Sequence, residues 1–372
     1  MTLIASTNLD QIRIDESHPW ITMITPRAPG LDLSALSTVF DAHRPRLMQL
    51  LTRRGVLLFR GFDPHGPEAF HDFVLQATAL PSWNAFNAKG LPGFLGNWLR
   101  RYSEGLMGGG DYRRYLGSHT VQLGPVEAAV QGPHVEGGGS PRRSRHLALC
   151  CFHPAAERAE TGLVDLHAVF RSLPMERQAK YLSAFNRFYY LTQRPLNWLD
   201  RALLTQSPVK VSETLPDGRA KLASPVTPAV CAHPETGLPC LQPWAFTRNT
   251  NGHVHEAALA AFPNRGIQQR CSNADGMDVQ WDLCDGQGRG VPWSDDEQRE
   301  LFDTIFTQAE LLDWRQGDIA LIDNIRIGHW RMNGEQGRRQ LVQVQIDAFD
   351  ASQHRVLSPA AWMGDEPARH VA

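Results

Sequence analysis

The chain has 372 residues, 42% hydrophobic and 20% charged, the balance of a globular protein that buries a substantial core. A formal net charge of −2 removes any electrostatic case for nucleic acid or an anionic membrane surface. No apolar run of about 18 residues and no basic segment leading an apolar N-terminus is present, so neither a membrane span nor a signal peptide is expected.

In chain order, residues 1–30 carry little pattern except 20–24, which suits a short strand. Residues 33–53 predict a helix with Leu36, Val39, Phe40, Leu47, Leu50 and Leu51 on its apolar side. Pro45 should kink it, and Gly55 should end it. Residues 56–62 read as a strand buried on both faces, and 67–80 as a helix with Phe70, Phe73, Val74 and Ala77 on one side. The stretch from Pro81 to Gly124 reads as irregular, either a binding loop with Gly108 to Gly110 at its centre or a solvated insertion. Residues 137–145 read as a flexible segment carrying Arg142, Arg143 and Arg145. Strand patterns follow at 147–152 and 162–166, then a helix over 173–191. Residues 192–295 are rich in Pro, Gly and Asp-Gly turns, which predicts hairpins and loops. Ser294 and Glu297 have capping-box spacing and open a helix to about Leu312. Residues 319–322 and 341–346 read as strands, and 350–372 as a polar tail. No repeat or linker is visible, so 1–372 is expected to form one domain. The six cysteines contain no C-x-x-C pair and are expected to be free thiols in a reducing cytoplasm.

One spacing carries chemistry. In an extended segment, side chains i and i+2 leave the backbone on the same face, so His134 and Glu136 can share one metal ion. A later histidine, His329, would complete a set of two imidazoles and one carboxylate. That set suits Fe(II) and leaves three coordination positions for a co-substrate and dioxygen. His253 and His255 are the rival pair, in a Gly/Asn-rich stretch without a framing carboxylate. Arg142, Arg143 and Arg145 follow the His-x-Glu motif closely and are candidates for gripping substrate; the alternative is a solvated basic loop.

The ordered set of residues 55–61 (GVLLFRG), His134-Val-Glu136, residues 159–165 (AETGLVD) and residues 317–324 (GDIALIDN) through His329 to Arg338 and Arg339 resembles the TauD/TfdA-type Fe(II)/2-oxoglutarate dioxygenases. The use of His-x-Glu is closer to the clavaminate synthase-like and SyrP-like branch. The chain departs from the family pattern at Ala159, where a glycine is usual, and in the long separation of His134 from His329. The resemblance implies an α+β protein with a double-stranded β-helix (jelly-roll) core over about 50–350, flanking helices and an insertion within 192–295. It implies His134, Glu136 and His329 as ligands of Fe(II), with 2-oxoglutarate and dioxygen as co-substrates. Arg339, or its neighbour Arg338, would hold the far carboxylate of 2-oxoglutarate through paired charge-assisted hydrogen bonds, with the Thr161 hydroxyl beside it. The carboxylate ligand favours oxygen transfer over halogenation, which needs that position for chloride. The branch implies a small-molecule substrate: an amino acid, free or tethered to a carrier protein, or a natural-product intermediate. Hydroxylation is the expected outcome, with desaturation or ring closure as variants. A hydrolase or binding protein on the same fold is the alternative from another class.

Overall fold

The structure is a computed structural model that describes residues 11–28, 30–83, 93–108, 113–115, 120–123, 129–265, 278–335 and 337–356. The first long helix, α1 (Leu33–Arg54), begins where the Asp32 side chain accepts from the Ala35 amide. It kinks at His43 (φ −131°, ψ 16°), two residues before Pro45, whose ring removes a donor and crowds the preceding turn. Gly55 ends it at φ 96° and carries the chain straight into a strand. A second helix, α2 (Pro67–Thr78), buries Phe70, Phe73, Val74 and Ala77 as its periodicity predicts.

The strands that frame the site are, in chain order, β1 (Ile12–Asp15), β2 (Ile21–Pro26), β3 (Val56–Phe59), β4 (Arg113–Tyr115), β5 (Thr120–Leu123), β6 (Arg142–His153), β7 (Thr161–Asp165), β8 (Phe185–Leu191), β9 (Glu310–Leu312), β10 (Ile319–Asp323), β11 (Ile327–Arg331) and β12 (Gln340–Asp350). An eight-stranded sheet runs β1-β2-β3-β10-β6-β12-β5-β4, antiparallel throughout except for the β2–β3 pair. A three-stranded antiparallel sheet runs β9-β7-β11.

Alternation along the strands builds two apolar layers. On one face of the large sheet, Leu57, Phe59, Ala148, Cys150, Ile319, Leu321, Val342 and Val344 pack under α1 and α2. On the other face, Leu58, Leu147, Leu149, Cys151, Ala320, Ile322 and Leu341 meet Leu163 and Ile327 from the small sheet. The far side of the small sheet is covered by further helices, with Trp330 set edge-on to Phe306 at 5.0 Å. Helices and mixed sheets thus form the α+β architecture expected, with strands that alternate between two cores.

Four local expectations need correction. Residues 173–191 are a short helix (Met175–Ser183) followed by strand β8, because Asn186 and Phe188 alternate inward against Trp281. The helix opened by Ser294 has its reciprocal capping box but stops at Thr307, and residues 310–312 pair as strand β9. Within the stretch expected to be irregular, residues 93–107 are helical, with Leu106 buried and Phe94 and Trp98 exposed; Gly109 and Gly110 lie outside the described residues. The expected flexible segment 137–145 is a packed turn running into β6. A Cβ on Gly139 would lie 2.6 Å from the Tyr190 hydroxyl, and one on Gly138 3.0 Å from Val135. Residues 192–295 hold the predicted hairpins together with helices Trp198–Thr205 and Asn251–Ala261. Among the described residues no helix is long and apolar enough to cross a membrane.

Candidate metal centre

The segment that carries His134 lies alongside β11. The His134 amide donates to the His329 carbonyl (3.0 Å) and the His329 amide returns a bond to the His134 carbonyl (2.9 Å). That antiparallel pair sets both imidazoles on one side, with ring centroids 4.3 Å apart. The segment's other edge is bound to residues 243–245, through Val135 N to Pro243 O and Ala245 N to Pro133 O, both 3.0 Å. Gly132 is needed there: a Cβ would sit 1.9 Å from the Ala245 carbonyl oxygen.

Glu136 follows two residues later on the same face as His134. Its main chain is fixed by Asn324, whose side chain accepts from the Glu136 amide (2.7 Å) and donates to the Glu136 carbonyl (3.0 Å). One ligand atom from each of His134, Glu136 and His329 falls within 4.8 Å of the others, and all three residues are buried. His134 Nδ1 lies 2.9 Å from the Gly132 carbonyl, which can only accept, so Nδ1 carries the proton and Nε2 is left as a neutral donor for a metal. Two neutral imidazoles and one carboxylate fit Fe(II).

A family model described as "Taurine catabolism dioxygenase TauD, TfdA family" matches residues 17–345. The chain belongs to this family. It is an Fe(II)- and 2-oxoglutarate-dependent dioxygenase. No curated protein sequence matches it. Among solved structures, it is similar to PvcB from Pseudomonas aeruginosa (14% identity, 93% of this chain and 94% of that chain, TM-score 0.49). It is also similar to a taurine dioxygenase from Burkholderia xenovorans (12% identity, 90% of this chain and 89% of that one, TM-score 0.48). A third is AAD-2 in complex with Mn(II) and N-oxalylglycine (12% identity, 93% and 99% covered, TM-score 0.47).

In this TauD/TfdA chain the inner face beyond the triad is polar toward one end. Thr161 and Arg331 are directly opposed in the β7–β11 pair, on the face that also carries Leu163 and His329. The Thr161 hydroxyl accepts from the Trp314 indole N–H at 2.7 Å, which leaves its own hydrogen to donate. Arg339 is buried and its charge acts on the Cys151 thiol, whereas Arg338 is exposed. Burial nevertheless dominates at Cys151 and pushes its thiol up to about 12, and the five cysteines among the described residues are all free and buried.

The other sequence candidates fall elsewhere. Arg143 is fully inside, held by Gln242, by the Ser140 carbonyl at 3.2 Å and over the Phe349 ring at 5.4 Å. Arg145 is paired with Glu235 and lies 3.8 Å from Asp347. Arg142 is exposed, over the Trp83 ring at 5.7 Å. The three arginines therefore do not move as one basic loop. His253 and His255 lie on one helix, where positions two apart diverge by about 200°, and His253 faces Asp295 at 3.6 Å.

Sequence reasoning passed over Arg331, Trp314, Gln343 and Gln345. Arg331 is two residues past His329 in a strand, the same i, i+2 relation that linked His134 to Glu136, and Gln343 and Gln345 repeat it on β12. Asp323 and His233 form a fully buried pair at 2.7 Å. Burial opposes the Asp323 charge, but the hydrogen bond from His233 and the nearby imidazoles of His233 and His146 outweigh it and hold the carboxyl at about 2.

Proposed function

We propose that His134, Glu136 and His329 hold Fe(II) at the open end of a jelly-roll core formed by the two facing sheets. The buried Arg339 receives the far carboxylate of 2-oxoglutarate, with the Thr161 hydroxyl as a second donor. The reading is carried by one observation: the three ligand atoms, from a loop segment and a strand far apart in sequence, converge within 4.8 Å. Bound Fe(II) with 2-oxoglutarate supplies oxidising power from dioxygen, one oxygen atom going to succinate as CO2 leaves and the other to a substrate C–H bond.

The chain's own residues do the positioning. One carboxylate against a divalent ion leaves net positive charge, so an anionic oxo-acid can still chelate. The buried Arg339 guanidinium, next to the start of β12, offers a planar, permanently charged partner. The apolar layer of Leu147, Leu149, Leu163, Ile327 and Leu341 closes the interior between the sheets to water.

We read the substrate as an amino acid, free or carrier-bound, or a natural-product intermediate, hydroxylated at an unactivated C–H bond. Support for that class comes from the His-x-Glu form of the motif. The test is a substrate screen by mass spectrometry with Fe(II), 2-oxoglutarate and air. A product heavier by one oxygen, with succinate released in equal amount, is expected. Loss of two hydrogens with succinate would indicate desaturation or ring closure, and a hydrolysed product without succinate would refute oxygenase chemistry.

A further inference from the structure

Two glutamines meet the Glu136 carboxylate from a strand that carries none of the three proposed ligands. Gln343 and Gln345 stand two residues apart on β12, so both project from the inner face shared with Leu341. Gln343 Nε2 lies 3.1 Å from Glu136 Oε2, and Gln345 Nε2 lies 3.2 Å from Oε1. An ionised carboxylate only accepts hydrogen bonds, so both facing atoms are amide NH2 groups. Gln345 Nε2 also approaches Gln343 Oε1 at 3.5 Å, which ties the two amides into one unit. Gln343 is buried at 2% exposure, so bulk water does not compete for its hydrogen bond.

We infer that Gln343 and Gln345 are positioning residues that hold the Glu136 carboxylate so that it binds the metal through one oxygen. This rests on the reading of Glu136 as a ligand. Oε2 is the oxygen that faces His329 Nε2, at 3.9 Å, while Gln345 holds Oε1. Gln343 uses one lone pair of Oε2 and leaves the other for the cation, while the Gln345 bond fixes the direction of Oε1, so rotation of the carboxylate toward chelation by both oxygens is opposed. One coordination position is thereby kept open for the co-substrates. The amide is suited to this task because it carries no charge. A lysine or arginine there would compete with the cation for the carboxylate. The Glu136 main chain is fixed separately by Asn324, so the glutamines act on the side chain alone.

The test uses the full chain and the variants Gln343→Met and Gln345→Met, singly and together, since Met keeps the length and loses the donor. Mn(II) affinity is titrated without 2-oxoglutarate, alongside the visible d–d spectrum of the Co(II)-loaded protein and the thermal midpoint of the metal-free protein. Loss of such outer partners weakens metal binding about 10–100-fold. Each single variant should bind Mn(II) about tenfold more weakly than wild type. The double variant should lose more and show a changed Co(II) spectrum, with the metal-free midpoint held. If Gln343→Met does not fold, the more exposed Gln345→Met decides by the same readouts. Wild-type affinity and spectrum in the folded glutamine variants, while Glu136→Ala loses binding, would overturn the inference and leave the ligand reading intact. Wild-type affinity in Glu136→Ala would overturn both.

Discussion

A guanidinium held out of water discriminates more sharply for an anionic ligand than one in solvent, because its hydrogen bonds are not contested. That argument favours the proposed placement of the far carboxylate of 2-oxoglutarate on Arg339, which is buried, over Arg338, which is exposed. Charged hydrogen bonds contribute about 1.5–3 kcal/mol. Arg339→Leu should therefore raise the half-saturating 2-oxoglutarate concentration roughly 10–150-fold, and Arg338→Leu should change it less than about twofold. Titration of succinate formation against 2-oxoglutarate measures both; the reverse order would move the role to Arg338. At this scale the clustering of His134 and Glu136 with His329 was legible, since the i, i+2 relation of the first two needs only an extended backbone. Arg143 was not. Its neighbours in sequence are basic and polar, and only the distant Gln242 and Phe349 reveal that it is a core residue.

The turn between β10 and β11 delivers His329, and one carboxylate organises it. Asp323 accepts from the Ile325 and Arg326 amides at 3.0 and 3.3 Å while His233 holds its other oxygen. His233 comes from the long excursion between β8 and the helix at Asp295–Thr307, so that excursion supports the turn leading to His329. His233→Ala strands a buried carboxylate, and breaking a buried pair in this way costs about 3–5 kcal/mol. Denaturant unfolding should show a loss of that size; a change below about 1 kcal/mol would mean that the pair contributes little. Elements with their own terminal chemistry were legible: Gly55 and the Ser294–Glu297 box mark ends of helices by local hydrogen bonds, whereas the Asp32 cap was passed over. The β8 strand and the helix at Gly93–Met107 were not, because the first is specified by pairing with Asp278–Cys284 and the second leaves Phe94 and Trp98 exposed.

Across the whole molecule, acid should act through buried groups in two stages. Burial lowers the imidazole affinities of His146 and His167 for protons below the ordinary 6.5. The unfolded chain then binds protons that the folded chain does not, so stability is full above about pH 6.5 and falls as pH drops below it. Asp323, held at about 2 against an ordinary 3.8, adds a second loss as pH falls from 3.8 toward 2. The thermal midpoint of the metal-free protein should decline from neutrality to pH 5 and more steeply below pH 4. His146→Leu should flatten the first stage, since neither His146 ring nitrogen has a hydrogen-bond partner among the described residues. An unchanged midpoint between pH 7 and pH 5 would contradict this. The family's ordered motifs made the sheet core readable because they fall on strands buried on both faces, whereas among the described residues of 192–295 only the turns were readable and the packing of the helix at Asn251–Ala261 depends on distant contacts. The most direct test of the metal centre is the visible absorption of the anaerobic protein with Fe(II) and 2-oxoglutarate. Wild type should develop a weak charge-transfer band that is absent in His134→Ala and in His329→Ala with the fold retained. A wild-type band in either variant would remove that histidine from the site and with it the proposed iron centre.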